Sequence, residues 1–287
     1  MAEQKQSVFV QIGTEYYTFT ASEKKLADFI LSAQERICRM SISELAAACS
    51  VADATVSRFC RRLRYKGYPD FKIAIANASM NQLKDNPLSG EVTTEDTLEA
   101  ISQKLLTANT MAMTQTLEVL NLDAVSQAAE IMHSASSVLC MGQGGSMLIA
   151  AEAAHLFSTI TNKFQPVSDS HMQAMAAAMM EQNDVILFFS YSGSTTDMLD
   201  TLKTARDRGG KVILVTRFPN SPGAALADLV LQCGANENPL QSGSIPARIA
   251  QMYLLDILFS EYTRKNLEEA KENRNRIAQA LAAKHIQ

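Results

Sequence analysis

The sequence has few cysteines and no long apolar segment. The cysteines are Cys38, Cys49, Cys60, Cys140 and Cys233. They are odd in number, lie far apart and include no CxxC pair, which argues against a disulfide framework and a zinc site. The longest uncharged stretch, residues 134–151, is interrupted by three glycines and a glutamine. It therefore falls short of the roughly 20 mainly apolar residues that a membrane-spanning helix needs.

A secretory signal is also missing. The first ten residues, MAEQKQSVFV, contain no apolar core of about 7–15 residues after a basic start. We therefore expect a soluble, cytoplasmic protein without a membrane partner or a bound metal.

The composition indicates an ordinary globular protein. The 287 residues are 47% hydrophobic and 20% charged, and at about 150 residues per domain we expect two domains. The net charge of −4 is unevenly distributed. Residues 1–80 contain 11 lysines and arginines against 8 acids, whereas the remainder contains 15 against 22. The N-terminal part is therefore the candidate for binding a polyanion.

The N-terminal part has the pattern of short helices. Two capping boxes, Thr20 with Glu23 and Ser41 with Glu44, predict the starts of two helices. A turn follows, and Asp53 is the predicted N-cap of a third helix that runs from about residue 54 to residue 64. We expect a helical domain over residues 1–80.

A linker and a connecting helix are predicted over residues 81–123. The segment 80–94 contains Pro, Gly, Asn, Asp and Ser without an apolar period. A helix follows over 95–121, with one apolar face expected to point inward. This face consists of Leu98, Ile101, Leu105, Ala108, Ala112 and Leu117.

Residues 124–287 have the pattern of an α/β domain. Continuous apolar runs at 137–141, 184–189, 211–216 and 228–233 alternate with helical segments. Such runs are typical of parallel strands that helices cover on both faces. The predicted fold class is therefore an all-helical N-terminal domain joined to a three-layer αβα domain with a parallel sheet, followed by a charged C-terminal helix.

The third helix separates an apolar face from a basic one. The apolar face contains Val56, Phe59, Cys60 and Leu63. This arrangement favours a helix-turn-helix whose third helix enters the major groove of DNA. The candidate DNA-binding residues are Thr55, Ser57, Arg58, Arg61, Arg62, Arg64, Lys66 and Lys72. The alternative is a solvated basic face on an ordinary three-helix bundle, but Asp53 is the only acid between residues 45 and 69.

The run DATVSRFCRRLRYKGYPDFK at 53–72 resembles the signature of the RpiR family of bacterial transcriptional regulators. In that family a helix-turn-helix domain is joined to a sugar isomerase (SIS) domain. The resemblance covers residues 20–259. It implies a regulator of carbohydrate metabolism that binds operator DNA and senses a phosphosugar.

A serine-rich loop follows the predicted strand 184–189. Three serines and two threonines surround Gly193 directly before a helix, a composition suited to holding a phosphate. The alternative is simple helix capping, because Ser194 and Asp197 also have capping-box spacing. The loop is similar to the SIS phosphate-binding motif, which implies ligand contacts from Ser190, Ser192 and Thr195, with help from Ser194.

The loop GQGGS at 142–146 follows the first predicted strand. It fails the dinucleotide fingerprint because Met147 occupies the place of the third glycine, so neither NAD nor another cofactor is expected. The loop resembles the first SIS loop, which implies ligand contacts from Gly144, Gly145 and Ser146. A purely structural turn is the alternative.

The same resemblance adds two side chains to the effector site. His171 is expected to contact the sugar, with capping or a subunit contact as alternatives, and Glu237 is expected to face the pocket. A sugar-phosphate isomerase with a DNA-binding appendage is the alternative function. However, the acids and bases that could act in it, Glu152, His171 and Glu237, are scattered, and no catalytic residue is predicted.

A homodimer or homotetramer on a pseudo-palindromic operator is expected, because a single short recognition helix buries little surface. The candidate interfaces are the apolar face of the connecting helix and a stripe of methionines. The alternative role of this stripe is packing in the core. The stripe is Met172, Met175, Met179 and Met180.

Overall fold

A computed structural model describes residues 8–33, 37, 40–85, 92–234 and 245–282, without the side chains of 76, 77 and 79–85. The chain divides into two compact units, the first ending at Met111 and the second beginning at Ala112. No helix in the described part of the chain is long and apolar enough to cross a membrane.

The first unit is helical. Its helices are α1 (Val8–Glu15), α2 (Ala21–Ser32), α3 (Ile42–Ala48), α4 (Asp53–Arg62) and α5 (Tyr68–Asp85), and α6 (Leu98–Val119) contains the division between the units. Both predicted capping boxes are present, at Thr20 with Glu23 and at Ser41 with Glu44. In each, the hydroxyl accepts a backbone N–H of the first turn and the glutamate accepts the N-cap N–H, which fixes the start of the helix.

The predicted cap at Asp53 is wrong. Ala52 is the N-cap of α4, and Asp53 is already helical. The Asp53 carboxylate instead accepts a 2.6 Å hydrogen bond from the hydroxyl of Ser43 on α3. This acid therefore joins the two helices on either side of the turn. Its partner lies ten residues away, beyond the range of a capping pattern.

Aromatic side chains form the centre of the first core. Phe59 on α4 lies between Phe19 and Phe71, at ring-centroid distances of 5.1 and 6.1 Å. Val56 and Cys60 are buried beside it, as the apolar face of the predicted third helix requires. Burial raises the pKa of the Cys60 thiol to about 12, so this cysteine stays protonated as part of the core.

Helical structure continues into the predicted linker, because α5 extends to Asp85; residues 86–91 lie outside the described part of the chain. The predicted inward face of the connecting helix is wrong at three positions. Leu98, Leu105 and Leu117 are exposed, whereas Ala112 is buried. Periodicity identified an apolar face, but nothing described in this chain covers those leucines.

The second unit is a three-layer αβα domain, which confirms the predicted fold class. Its elements in chain order are α7 (Leu122–Ser134), β1 (Ser137–Gly142), α8 (Gly145–Ser158), β2 (Phe164–Val167), α9 (Ser170–Ala178), β3 (Asp184–Phe189), α10 (Thr196–Asp207), β4 (Lys211–Thr216), β5 (Leu229–Gln232), α11 (Ile245–Lys265) and α12 (Leu267–Ala282). The strands pair in parallel in the order β2-β1-β3-β4-β5.

Both faces of the sheet are buried. Val185, Leu187 and Phe189 of β3 pack on the side of α7, α8 and α11, while Ile186 and Phe188 pack on the side of α9 and α10. This alternation explains why the strands have continuous apolar runs.

Three of the four predicted strands have the observed bounds, except that β1 extends by one residue to Gly142. The fourth predicted strand is shorter than expected and covers Leu229–Gln232. Strand β2 was not predicted from the sequence. The methionine stripe is not core, because Met172, Met175 and Met179 are exposed and only Met180 is buried.

Candidate functional site

The turn between α3 and α4 gives the N-terminal unit its helix-turn-helix geometry. After α3, Ser50 adopts a left-handed conformation with φ 53°, and the N–H of Val51 donates to the carbonyl of Ala46 at 2.9 Å. These are the marks of a Schellman C-cap, which ends a helix and redirects the chain. The helix that follows, α4, begins only three residues later.

The predicted DNA-binding side chains differ in their surroundings. Most of them are exposed, namely Arg58, Arg61, Arg62, Arg64 and Lys66, whereas Thr55, Ser57 and Lys72 are half-buried. Three of these side chains donate hydrogen bonds within the unit, and that of Arg58 goes to the hydroxyl of Thr55 at 3.3 Å. The guanidinium of Arg62 donates to Glu23 at 2.8 Å and to the carbonyl oxygen of Thr18 at 2.7 Å. The ammonium of Lys72 donates to the carbonyl oxygen of Met40 at 2.9 Å.

In the second unit, the serine loop and the GQGGS loop follow neighbouring strands. Gly142 at the end of β1 pairs with Phe189 at the end of β3, so both loops leave the same edge of the sheet. The chain runs from β1 outward to β2 and then to β3 on the other side, which makes the gap between β1 and β3 a topological switch point. Open α/β sheets bind ligands at this position.

Hydrogen bonds within the serine loop and from β4 hold the loop in place. The Gly193 N–H donates to the hydroxyl of Ser190 at 3.1 Å, and the hydroxyl of Thr216 donates to the carbonyl of Tyr191 at 3.1 Å. Gly193 has φ 59°, and a Cβ there would collide with the side chain of Ser221. A glycine is therefore required at this position for both backbone conformation and space.

The alternative of helix capping by Ser194 with Asp197 is not observed. Thr195 is the N-cap of α10, and its side chain makes no capping hydrogen bond. Thr195 is exposed at a helix N-terminus, where the first N–H groups lack intrahelical partners. The N-terminus and the nearby hydroxyls can together bind an anion.

The GQGGS loop also ends at a helix N-terminus. Gly144 has φ 55° and precedes α8, which begins at Gly145. The hydroxyl of Ser146 lies 3.4 Å from the amide of Gln251, a fully buried residue on α11. No local sequence pattern identifies Gln251, because its partner lies 105 residues away.

Of the two remaining predicted effector residues, the structure describes His171 but not Glu237. His171 is exposed in the first turn of α9, where Asp169 is the N-cap and accepts the backbone N–H of His171 at 3.0 Å. Glu237 lies outside the described residues. Among the residues that the structure describes, no cluster of His, Cys, Asp and Glu could hold a metal ion.

Comparison with known protein structures gives the same fold. The Vibrio vulnificus NanR protein complexed with ManNAc-6P aligns with a TM-score of 0.64 and 24% identity, covering 97% of this chain and 99% of that one. The sugar isomerase domain of an RpiR transcription factor from Sphaerobacter thermophilus aligns with a TM-score of 0.56 and 20% identity, covering 61% and 97%.

Sequence comparison identifies the family. Residues 7–82 match the model of the helix-turn-helix domain of the rpiR family, and residues 131–261 match the SIS domain. An uncharacterized HTH-type transcriptional regulator of Caldanaerobacter subterraneus is 32% identical over 94% of this chain and 95% of its own length. The HTH-type transcriptional regulator RpiR of Escherichia coli is 27% identical over 88% and 85%. The chain therefore belongs to the RpiR family of transcriptional regulators, with a helix-turn-helix domain followed by a SIS domain.

Proposed function

We propose that the SIS domain senses a phosphorylated sugar and thereby changes the affinity of the helix-turn-helix domain for operator DNA. The observation that carries this proposal is the serine loop of residues 190–195, which lies at the N-terminus of α10 and beside the GQGGS loop at the switch point. Hydroxyls and helix N–H groups can hold a phosphate dianion without a lysine, because hydrogen bonds to a charged group are strong.

Most of the proposed effector contacts come from the serine loop and the GQGGS loop. Ser190, Ser192, Gly193, Ser194 and Thr195 would surround the phosphate. Gly144, Gly145 and Ser146 would contact the ligand from β1, and His171 and Glu237 would complete the site. NanR of Vibrio vulnificus was solved with a phosphosugar, which supports the same ligand class here.

The proposed DNA contacts divide by role. We assign contact with DNA mainly to Arg58, Arg61, Arg64 and Lys66, whose side chains are exposed, with Thr55 and Ser57 beside them. Arg62 and Lys72 would add positive charge while also holding the unit together, since both donate hydrogen bonds within it. The proposed DNA-binding domain is 1–80, the linker and connecting helix 81–123, and the effector domain 124–287. Operator binding would place the protein in the cytoplasm.

A dimer or tetramer would match a pseudo-palindromic operator. The exposed leucines of α6 and the exposed methionines of α9 offer apolar surface for such contacts. Sedimentation at several concentrations tests the assembly. A monomer that protects a single half-site would contradict it.

The central test combines a ligand screen with DNA binding. The purified chain is screened by thermal shift against sugar phosphates, since a ligand that binds only the folded state raises the melting temperature. Duplexes selected from a randomised pool then serve as operator probes. We expect the stabilising sugar phosphate to change the Kd for these duplexes. Unchanged affinity would refute the sensing proposal, and turnover of that sugar phosphate would instead indicate the isomerase alternative.

A further inference from the structure

A buried glutamine joins the ends of two strands. Gln173 on α9 is fully buried, and its Nε2 donates to the carbonyl oxygens of Gly142 at 2.9 Å and Val167 at 2.8 Å. Both partners are backbone carbonyls, which can only accept hydrogen bonds. The amide orientation is therefore fixed, with both N–H groups used and Oε1 turned away from the two carbonyls.

The other atom of this amide has no partner. Oε1 of Gln173 is shielded from solvent and makes no hydrogen bond within the described part of the chain. A buried polar atom left unsatisfied costs about 1–3 kcal/mol, and buried polar groups in native proteins nearly always have partners. Oε1 accepts only, so the missing partner must be a donor.

Gln143 carries a second amide with an unsatisfied atom. Gln143 follows Gly142, whose carbonyl Gln173 binds, and Gln143 Nε2 is likewise shielded and without a hydrogen bond among the residues described. The residue that binds the Gly142 carbonyl thus has an unpaired acceptor, and the residue after Gly142 has an unpaired donor. This is the point where the GQGGS loop leaves β1, at the switch point.

We propose that Gln143 and Gln173 form an amide subsite that binds the hydroxyl or acylamino groups of the effector, separately from its phosphate. This proposal rests on the proposed function. A phosphate dianion offers acceptors only, so it cannot satisfy Oε1 of Gln173. A sugar hydroxyl both donates and accepts, and it can therefore bind either amide. The subsite would distinguish a phosphorylated sugar from phosphate alone.

The test compares two ligands on three variants. Gln143→Met removes an amide whose Nε2 makes no hydrogen bond in the described part of the chain, whereas Gln173→Met also releases two backbone carbonyls and is expected to melt earlier. Gln127→Met is the matched control, because Gln127 is exposed on α7. Calorimetry gives the Kd for inorganic phosphate and for the most stabilising sugar phosphate of a panel that includes N-acetylmannosamine 6-phosphate.

We expect Gln143→Met to weaken sugar-phosphate binding about tenfold, the effect of losing one hydrogen bond of roughly 1.4 kcal/mol. Its Kd for inorganic phosphate should stay within about twofold of wild type, and Gln127→Met should change neither value. Wild-type sugar-phosphate affinity in both Gln143→Met and Gln173→Met would overturn the subsite while leaving the proposed function intact. Failure of every sugar phosphate in the panel to bind would overturn the proposed function, and the subsite with it.

Discussion

Arg62 Nη1 lies 2.8 Å from Glu23 Oε2, joining the last turn of α4 to the first turn of α2. The same guanidinium donates to the hydroxyl oxygen of Thr18 at 2.7 Å and lies 5.0 Å from the ring of Phe19. Glu23 also completes the capping box of α2. Arg62 is exposed like its neighbour Arg61, but its guanidinium also takes part in the packing of the N-terminal unit.

Arg62→Met is expected to destabilise the protein, and Arg61→Met is not. The first change removes charge-assisted hydrogen bonds and a cation–π contact, worth about 1–2 kcal/mol in total after allowance for partial solvent exposure. Urea denaturation of the two variants measures the difference, and both lose the same charge. Equal stability of the two variants would show that the Arg62 contacts contribute nothing.

The Glu23 carboxyl makes stability depend on pH. Burial acts to raise its pKa, but hydrogen bonds from Thr20 and Arg62 outweigh that effect and hold the pKa below its ordinary value. A carboxyl with a lowered folded-state pKa stabilises the fold above its unfolded pKa of about 4.3, and this stability is lost as the pH falls through the folded value.

Wild type should therefore lose more stability than Glu23→Gln as the pH falls below about 4.3. Urea denaturation at a series of pH values measures this difference. In an Arg62→Met background the Glu23→Gln change should alter the free energy of unfolding by less, because the two side chains interact. If the free energy of unfolding falls with pH in parallel for wild type and Glu23→Gln, the lowered pKa of Glu23 in the folded state is contradicted.

Local patterns predicted the parts of the fold that depend on local interactions. The capping boxes at Thr20 and Ser41 involve residues three apart, and the apolar runs of β3 and β4 reflect burial on both faces. The edge strand β2 was missed because it is four residues long, includes Pro166 and exposes two residues.

The missed contacts of the site join distant parts of the chain. Arg62 binds Glu23 across 39 residues, and Gln173 binds Gly142 across 31. No spacing rule connects such pairs, because tertiary folding alone brings them together. The exposed leucines of α6 show a second limit of prediction from sequence. An apolar periodicity reveals a face, but it does not reveal what covers that face.

Ser50→Gly is expected to stabilise the helix-turn-helix by about 0.5–1 kcal/mol, because a left-handed residue with a Cβ costs roughly 1–2 kcal/mol and the unfolded-state freedom of glycine offsets about half of that. Ser50 has φ 53°, a conformation that glycine adopts without strain from a Cβ. The gain is reduced by the greater freedom of glycine in the unfolded chain. Thermal denaturation of Ser50→Gly beside Ser50→Ala tests the sign, and a less stable glycine variant would contradict the strain argument.

Replacing both Arg58 and Arg61 with Ala should abolish specific operator binding and preserve the fold, because both side chains are exposed. Each phosphate contact that is lost should reduce the slope of log affinity against log salt by about 0.9. Fluorescence anisotropy at several salt concentrations measures the slope, and a circular dichroism melt checks the fold. A folded double variant with the wild-type slope would remove these arginines from the DNA interface.

Ser192→Ala is expected to weaken sugar-phosphate binding by about 1.5–3 kcal/mol, the range for a hydrogen bond to a charged group. Its affinity for operator without effector should hardly change, because Ser192 lies in the SIS domain. Ser136→Ala is the control, since this exposed serine lies at the amino end of β1, on the opposite edge of the sheet.

If the sugar phosphate changes operator affinity by some factor, linkage requires operator DNA to change sugar-phosphate affinity by the same factor. Titrations in both directions should therefore agree for wild type and for Ser192→Ala. The variant should require more ligand to reach the same full shift in operator affinity, because it weakens occupancy of the site. A variant with normal ligand affinity but no shift would instead assign Ser192 to communication between the sites, and it would remove this serine from the proposed phosphate contacts.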